Sequence, residues 1–134
     1  MTPEERFQYV RYRLEKSEET FEVAQLLVVN SKWNSAINRL YYAAYYAISA
    51  LLFQSGLSTK THTGVKTSFF LQYIKTDKIS VELGKVYSDL FDSRQKGDYG
   101  DIWDFTEEEV SAIIEPTREL IEAVRREIEK QRDL

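Results

Sequence analysis

The run AINRLYYAAYYAISALLF, from Ala36 to Phe53, decides the fold. From Leu40 to Phe53 it carries no charged side chain, and its apolar residues and four tyrosines fall on every side of a helix axis. A helix apolar all round must be enclosed. The stretch is too short and too rich in tyrosine to span a bilayer, which takes about 20 mostly apolar residues. Protein must therefore enclose it, and it reads as the central helix of a bundle. Ile37, Tyr41, Ala44, Ile48 and Leu51 make one strong stripe on it by alternating steps of four and three. Tyr42, Tyr46 and Phe53 occupy another side, which either further helices or a second copy of the chain would cover.

Outward from this helix, the sequence predicts four more. Thr2, Pro3 and Glu5 form a start signal in which Thr2 caps, Pro3 takes the first helical position and Glu5 closes a capping box. Phe7, Val10, Leu14, Phe21 and Val28 then recur at helical spacing, predicting a helix from Pro3 to about Val29. Asn30, Ser31 and Lys32 interrupt it, so the first two helices should form an antiparallel hairpin across a short turn. Gly56 reads as a terminator and Ser58 to Thr63 as a loop. Val65, Phe69, Phe70 and Tyr73 predict a short third helix, ending near Lys75 to Lys78. Ser80 can cap a fourth, striped by Leu83, Tyr87 and Leu90, and Arg94 continues that line one turn later. Gly97 and Gly100 should loosen the backbone around Tyr99. Thr106 and Glu109 make a second capping box ahead of a fifth helix, in which Pro116 should introduce a kink. No segment alternates with period two. The prediction is an all-α, up-and-down four-helix bundle with one additional short helix, a single domain over residues 1–134.

The totals restrict function. The 134 residues suit one domain with a continuous core. A net charge of -4 does not favour broad attraction to nucleic acid or to an anionic membrane, so any RNA contact must be local. The lack of cysteine excludes disulfides and thiolate metal sites. MTPEERFQYV has no apolar core of the signal-peptide kind, so the expected location is cytoplasmic, without membrane association.

Chemistry-bearing patterns are few. The Glu and Glu-x-x-His ligands of a di-iron bundle are missing, no G-x-S-x-G motif marks a hydrolase, and Gly56 and Gly64 make no phosphate loop. Neither a metal nor a cofactor is expected. His62 stands in the polar loop before the third helix, where capping or surface exposure is the favoured role. The unusual segment is SRQKGDYGDIWDF, Ser93 to Phe105, which gathers Arg94, Lys96, Asp98, Tyr99, Asp101 and Asp104 around two glycines. At its simplest it is a helix end in which Asp98 pairs with Arg94. Arginine in line with an apolar stripe, however, is costly to bury unless it meets an anion, a carboxylate or a partner, and it can grip phosphate in a bidentate manner. Arg94, Lys96, Asp98, Tyr99 and His62 are the candidate ligand-binding residues.

AINRLYYAAYYAISALL, then KTHTGV, SVELGKVYSDLFDSRQKGDYGD and an acidic last helix, taken in that order, resemble the HEPN superfamily, and in particular its small stand-alone prokaryotic members. The resemblance covers nearly the whole chain. It implies a helical bundle, commonly a homodimer, often encoded beside a minimal nucleotidyltransferase in toxin-antitoxin or defence systems. Many superfamily members are metal-independent ribonucleases whose centre is an Arg followed after four to six residues by His. Arg94 matches that arginine, but the histidine's places hold Tyr99, Gly100 and Asp101. Cleavage by 2'-hydroxyl attack wants a group titrating near neutrality, and a phenol of pKa about 10 is a poor substitute. The resemblance therefore points to a non-enzymatic module that binds a nucleotide or RNA, or the nucleotidyltransferase, through Arg94. One alternative is a divergent ribonuclease in which Tyr99, Asp98 or His62 replaces the acid and base, and another is a purely structural dimerisation module. Related toxins are modified with AMP on a tyrosine two residues past the histidine. Asp101 holds that place here, which leaves Tyr99 as the nearest candidate.

Overall fold

A computed structural model describes residues 1–57, 59–99 and 104–132, with residues 97–99 described by backbone alone. Five α-helices follow one another: α1 (Pro3–Val29), α2 (Trp33–Gln54), α3 (His62–Phe69), α4 (Val81–Tyr99) and α5 (Glu107–Arg132). Strands are absent among the described residues. The capping signals act as the sequence predicts. The Thr2 hydroxyl accepts from the Glu5 amide and the Glu5 carboxylate from that of Thr2. Thr106 and Glu109 repeat the arrangement at α5, and Ser80 accepts from the Leu83 amide at α4.

The α1–α2 turn is three residues long. Ser31 takes φ 59°, and the Lys32 amide donates back to the Leu27 carbonyl at 2.8 Å. That reversal lays α1 against α2 along most of their lengths, and α2 also packs on α3, α4 and α5. The core consequently centres on α2, eleven of whose residues are buried. All five positions of the stripe from Ile37 to Leu51 are among them. Ala43, Ala44, Ala47 and Ala50 are fully enclosed, and with no side chain beyond Cβ they let neighbouring helices approach closely. At this contact the buried Ser17 of α1 donates to the Ala43 carbonyl of α2 at 2.6 Å. Ser17→Ala should cost about 1 kcal/mol, read as a drop of about 3–4 °C in a thermal melt.

Two expectations about local structure need correction. The third helix reaches close to its expected end, but its last part is not α-helical: residues Phe70–Ile74 follow α3 as a π-helical turn, the wider form that accommodates an extra residue in a helix. The turn pushes Ile74 inward against α4, where a Cβ on Gly84 would meet the Ile74 side chain at 3.1 Å. Likewise Gly97 does not loosen the chain, since α4 continues through it to Tyr99. The intrahelical hydrogen bonds of that last turn outweigh the roughly 1 kcal/mol preference of glycine for other conformations. Gly56 does end its helix, at φ 83°. Helix α5 passes through Pro116 without interruption, and the Thr117 hydroxyl there donates to the Ile113 carbonyl at 2.7 Å. None of the helices among the described residues is long and apolar enough to cross a membrane.

Candidate functional site

Arg94 is where the sequence places it, on the buried side of α4 one turn past Leu90, with 9% of its surface exposed. Its guanidinium lies 5.0 Å from the centre of the Tyr41 ring, on α2. An arginine over an aromatic face is attracted by the ring quadrupole, the more so away from water. The same tyrosine reaches α3: its hydroxyl is 2.7 Å from His62 Nδ1. Tyr41 thus joins the arginine and the histidine, two residues 32 positions apart in the chain. His62 is not a loop residue. It is the first residue of α3, half-buried, fixed there by Thr61, whose hydroxyl accepts from the Gly64 amide at 2.9 Å. A side chain on residue 64 would bring its Cβ to 2.9 Å from that hydroxyl, so glycine here keeps the cap closed.

More aromatic rings surround the histidine. Its ring centre is 4.5 Å from that of Tyr45 and 5.7 Å from that of Tyr42. Tyr87 stacks on Tyr41 from beneath at 5.8 Å. Arg39 lies 4.9 Å over Tyr42, and Lys66, one turn after His62, lies 4.6 Å over Phe91. Among the described residues, no group of acidic residues and histidines is placed to hold a metal ion.

The protonation states follow from this packing. Burial pushes the Tyr41 phenol up to about 12, against the opposing effects of the Tyr87 hydroxyl and Arg94. Burial also raises Tyr87 well above the usual phenol value. Its hydroxyl is enclosed without a hydrogen bond of ordinary geometry, and after burial Tyr41 affects it most. Burial and then the Arg94 charge hold His62 below the ordinary imidazole value of 6.5. At pH 7 the site is therefore a protonated phenol, a neutral imidazole and a guanidinium. A neutral phenol both donates and accepts, and with the Tyr41 hydroxyl donating to His62 Nδ1 the imidazole proton sits on Nε2. Arg94 and His62 then both offer N–H donors, the set a phosphate oxygen accepts.

The HEPN domain family model matches residues 10–128. This chain is a HEPN-domain protein. A UPF0332 protein of Thermotoga maritima is 38% identical over 125 residues, covering 93% of this chain and 95% of that protein. Two proteins of Methanocaldococcus jannaschii bearing the name "Putative toxin" are more distant. One is 30% identical, covering 75% of this chain and 69% of its own, and the other is 28% identical, covering 87% of each.

Of the residues predicted for the HEPN site, the structure brings Arg94 and His62 together. Lys96 is exposed two residues on from Arg94. The side chains of Asp98 and Tyr99, and the whole of Gly100 and Asp101, lie outside the described residues, and with them the Arg94–Asp98 pairing. Of the central lysines, Lys85 pairs with Asp89 at 3.1 Å, Lys78 lies over Tyr73 and Lys66 over Phe91. Sequence reasoning missed Tyr41 as the link, having assigned it only to the core. The available signal was a large side chain with a polar tip in a stripe otherwise made of Ala, Ile and Leu.

Proposed function

We propose that this HEPN protein binds a phosphate of RNA or of a nucleotide at Arg94 and His62, as the non-catalytic member of a toxin-type pair with a minimal nucleotidyltransferase. One observation carries the reading: a single buried tyrosine holds a guanidinium against its ring and an imidazole at its hydroxyl. Two donors of different shape thereby share one tyrosine. The names of the archaeal relatives support the toxin-type setting, and the resemblance to stand-alone HEPN proteins supports the partner and a homodimer. With the Tyr41 phenol donating to Nδ1, Nε2 carries a proton where a general base would need a lone pair. That favours binding over cleavage.

The test uses a short single-stranded RNA in chelator, with wild type and His62→Gln. Wild type should bind without cleaving, and the variant should bind several-fold more weakly. The pH dependence has a definite sign. In the free protein burial and Arg94 hold the His62 pKa down. A bound phosphodiester offsets the Arg94 charge and attracts the imidazolium, so binding raises that pKa. Affinity should grow as pH falls from 7 to 5 in the wild type and stay level in His62→Gln. Over the same range the free wild type should lose stability, which is full above about 6.5 and declines as pH falls through the lowered value. Metal-free cleavage that disappears in His62→Gln would replace this reading with that of a divergent ribonuclease, the opposite imidazole tautomer serving as base.

A further inference from the structure

Beside the phosphate site, half-buried rings continue without a break across α2 to α1. Tyr45 packs against His62 at 4.5 Å, Tyr42 against Tyr45 at 6.0 Å, and Tyr46 against Tyr42 at 6.0 Å. Cations accompany the rings. Arg39 lies over Tyr42, while Arg13 and Lys16 of α1 lie over Tyr46 at 5.9 and 5.8 Å. These three cations differ from four others that meet carboxylates. Arg11, Lys85, Arg118 and Arg125 meet Glu15, Asp89, Glu115 and Glu18. Arg13 instead donates to the Tyr9 hydroxyl at 2.7 Å and Arg39 to the Asn38 amide oxygen at 2.7 Å, and no described carboxylate lies within 4 Å of Arg13, Lys16 or Arg39. In a chain of net charge -4, a row of cations kept clear of carboxylates is a local positive field in an acidic molecule.

We infer that this row is a track for a single strand. From the phosphate held at Arg94, unpaired nucleotides run over Tyr45, Tyr42 and Tyr46, their phosphates facing Arg39, Arg13 and Lys16. Aromatic rings interleaved with cations are how proteins grip single strands irrespective of sequence, since every base has a stacking face. A duplex hides its bases and cannot use the rings. The inference rests on the phosphate site of the proposed function and adds the strandedness, the direction across the bundle and the residues beyond the first phosphate.

The experiment measures affinity for AMP, for an oligouridylate about ten nucleotides long, and for that strand annealed to oligoadenylate. The wild type should prefer the single strand over both other probes. The exposed Lys16→Gln and the half-buried Arg39→Gln should each weaken oligouridylate binding and lower its salt slope by about 0.7. Tyr42→Leu should weaken it roughly tenfold. Lys16→Gln, over Tyr46 at the far end of the row, should leave AMP binding unchanged. Equal affinity for AMP and oligouridylate, or for single strand and duplex, would remove the track while leaving the phosphate site intact. Failure of all three probes to bind wild type would remove the phosphate site itself. Sedimentation of the same variants covers a second occupant: a shift of Tyr42→Leu from dimer to monomer with unchanged oligouridylate affinity would assign the row to a contact between copies, and overturn the track.

Discussion

Arg94→Ala is expected to weaken RNA binding on the order of 10²-fold, the loss typical when one member of a buried, charge-assisted contact is removed. The fold should survive. The cation–π contact of the guanidinium with Tyr41 is worth about 1–2 kcal/mol when shielded from water, and its loss alone should lower the melting temperature by about 4–7 °C. Arg94→Lys separates charge from shape: it restores a cation but not the planar fork, and should recover only part of the affinity. Fluorescence anisotropy with a labelled strand gives the binding, and circular dichroism gives the melt. Wild-type affinity in Arg94→Ala would remove the site from this part of the bundle altogether, and a collapse of the melt without ligand would show that Arg94 serves the fold first.

Leu51→Ala should produce the largest loss of stability. Leu51 is fully enclosed, on the helix that contacts every other helix. Removing its branched end deletes the transfer free energy of three carbons and leaves a space that rigid neighbours close only in part, together about 3–5 kcal/mol. Domains of this size are stable by roughly 5–15 kcal/mol, so the substitution removes a large share of the total. At an unfolding entropy of about 2 cal/mol/K per residue, the melting temperature should fall by roughly 11–19 °C. Leu51→Met, which nearly conserves volume, should cost less than about 1.5 kcal/mol. Equal melts for the two variants would mean that the site can collapse around the missing atoms.

The fold was legible because its signals are local and redundant. Thr2 with Glu5, Ser80, and Thr106 with Glu109 mark helix starts through short-range chemistry, and the uncharged run from Leu40 to Phe53 can only be a centre. The π-helical turn at Phe70–Ile74 left no comparable mark. The site was legible by half. An arginine on an apolar line announces itself, and Arg94 is where that line leads. His62 reads as a loop residue because its environment is made by Tyr41 and Tyr45, far away in sequence. Tyr41 was visible but misread: its ring belongs to the core and its hydroxyl to the site, and periodicity registers only the ring.

That double membership gives the site a mechanical character. Tyr41 is the pin on which α3 and α4 both bear, one through the imidazole at its hydroxyl and the other through the guanidinium on its face. Sliding either helix by the width of a side chain breaks that helix's own contact with Tyr41. The recognition surface is whole only while both helices are seated, and a partner that levered α3 away from the bundle would take the imidazole out of the site and leave the guanidinium on its ring.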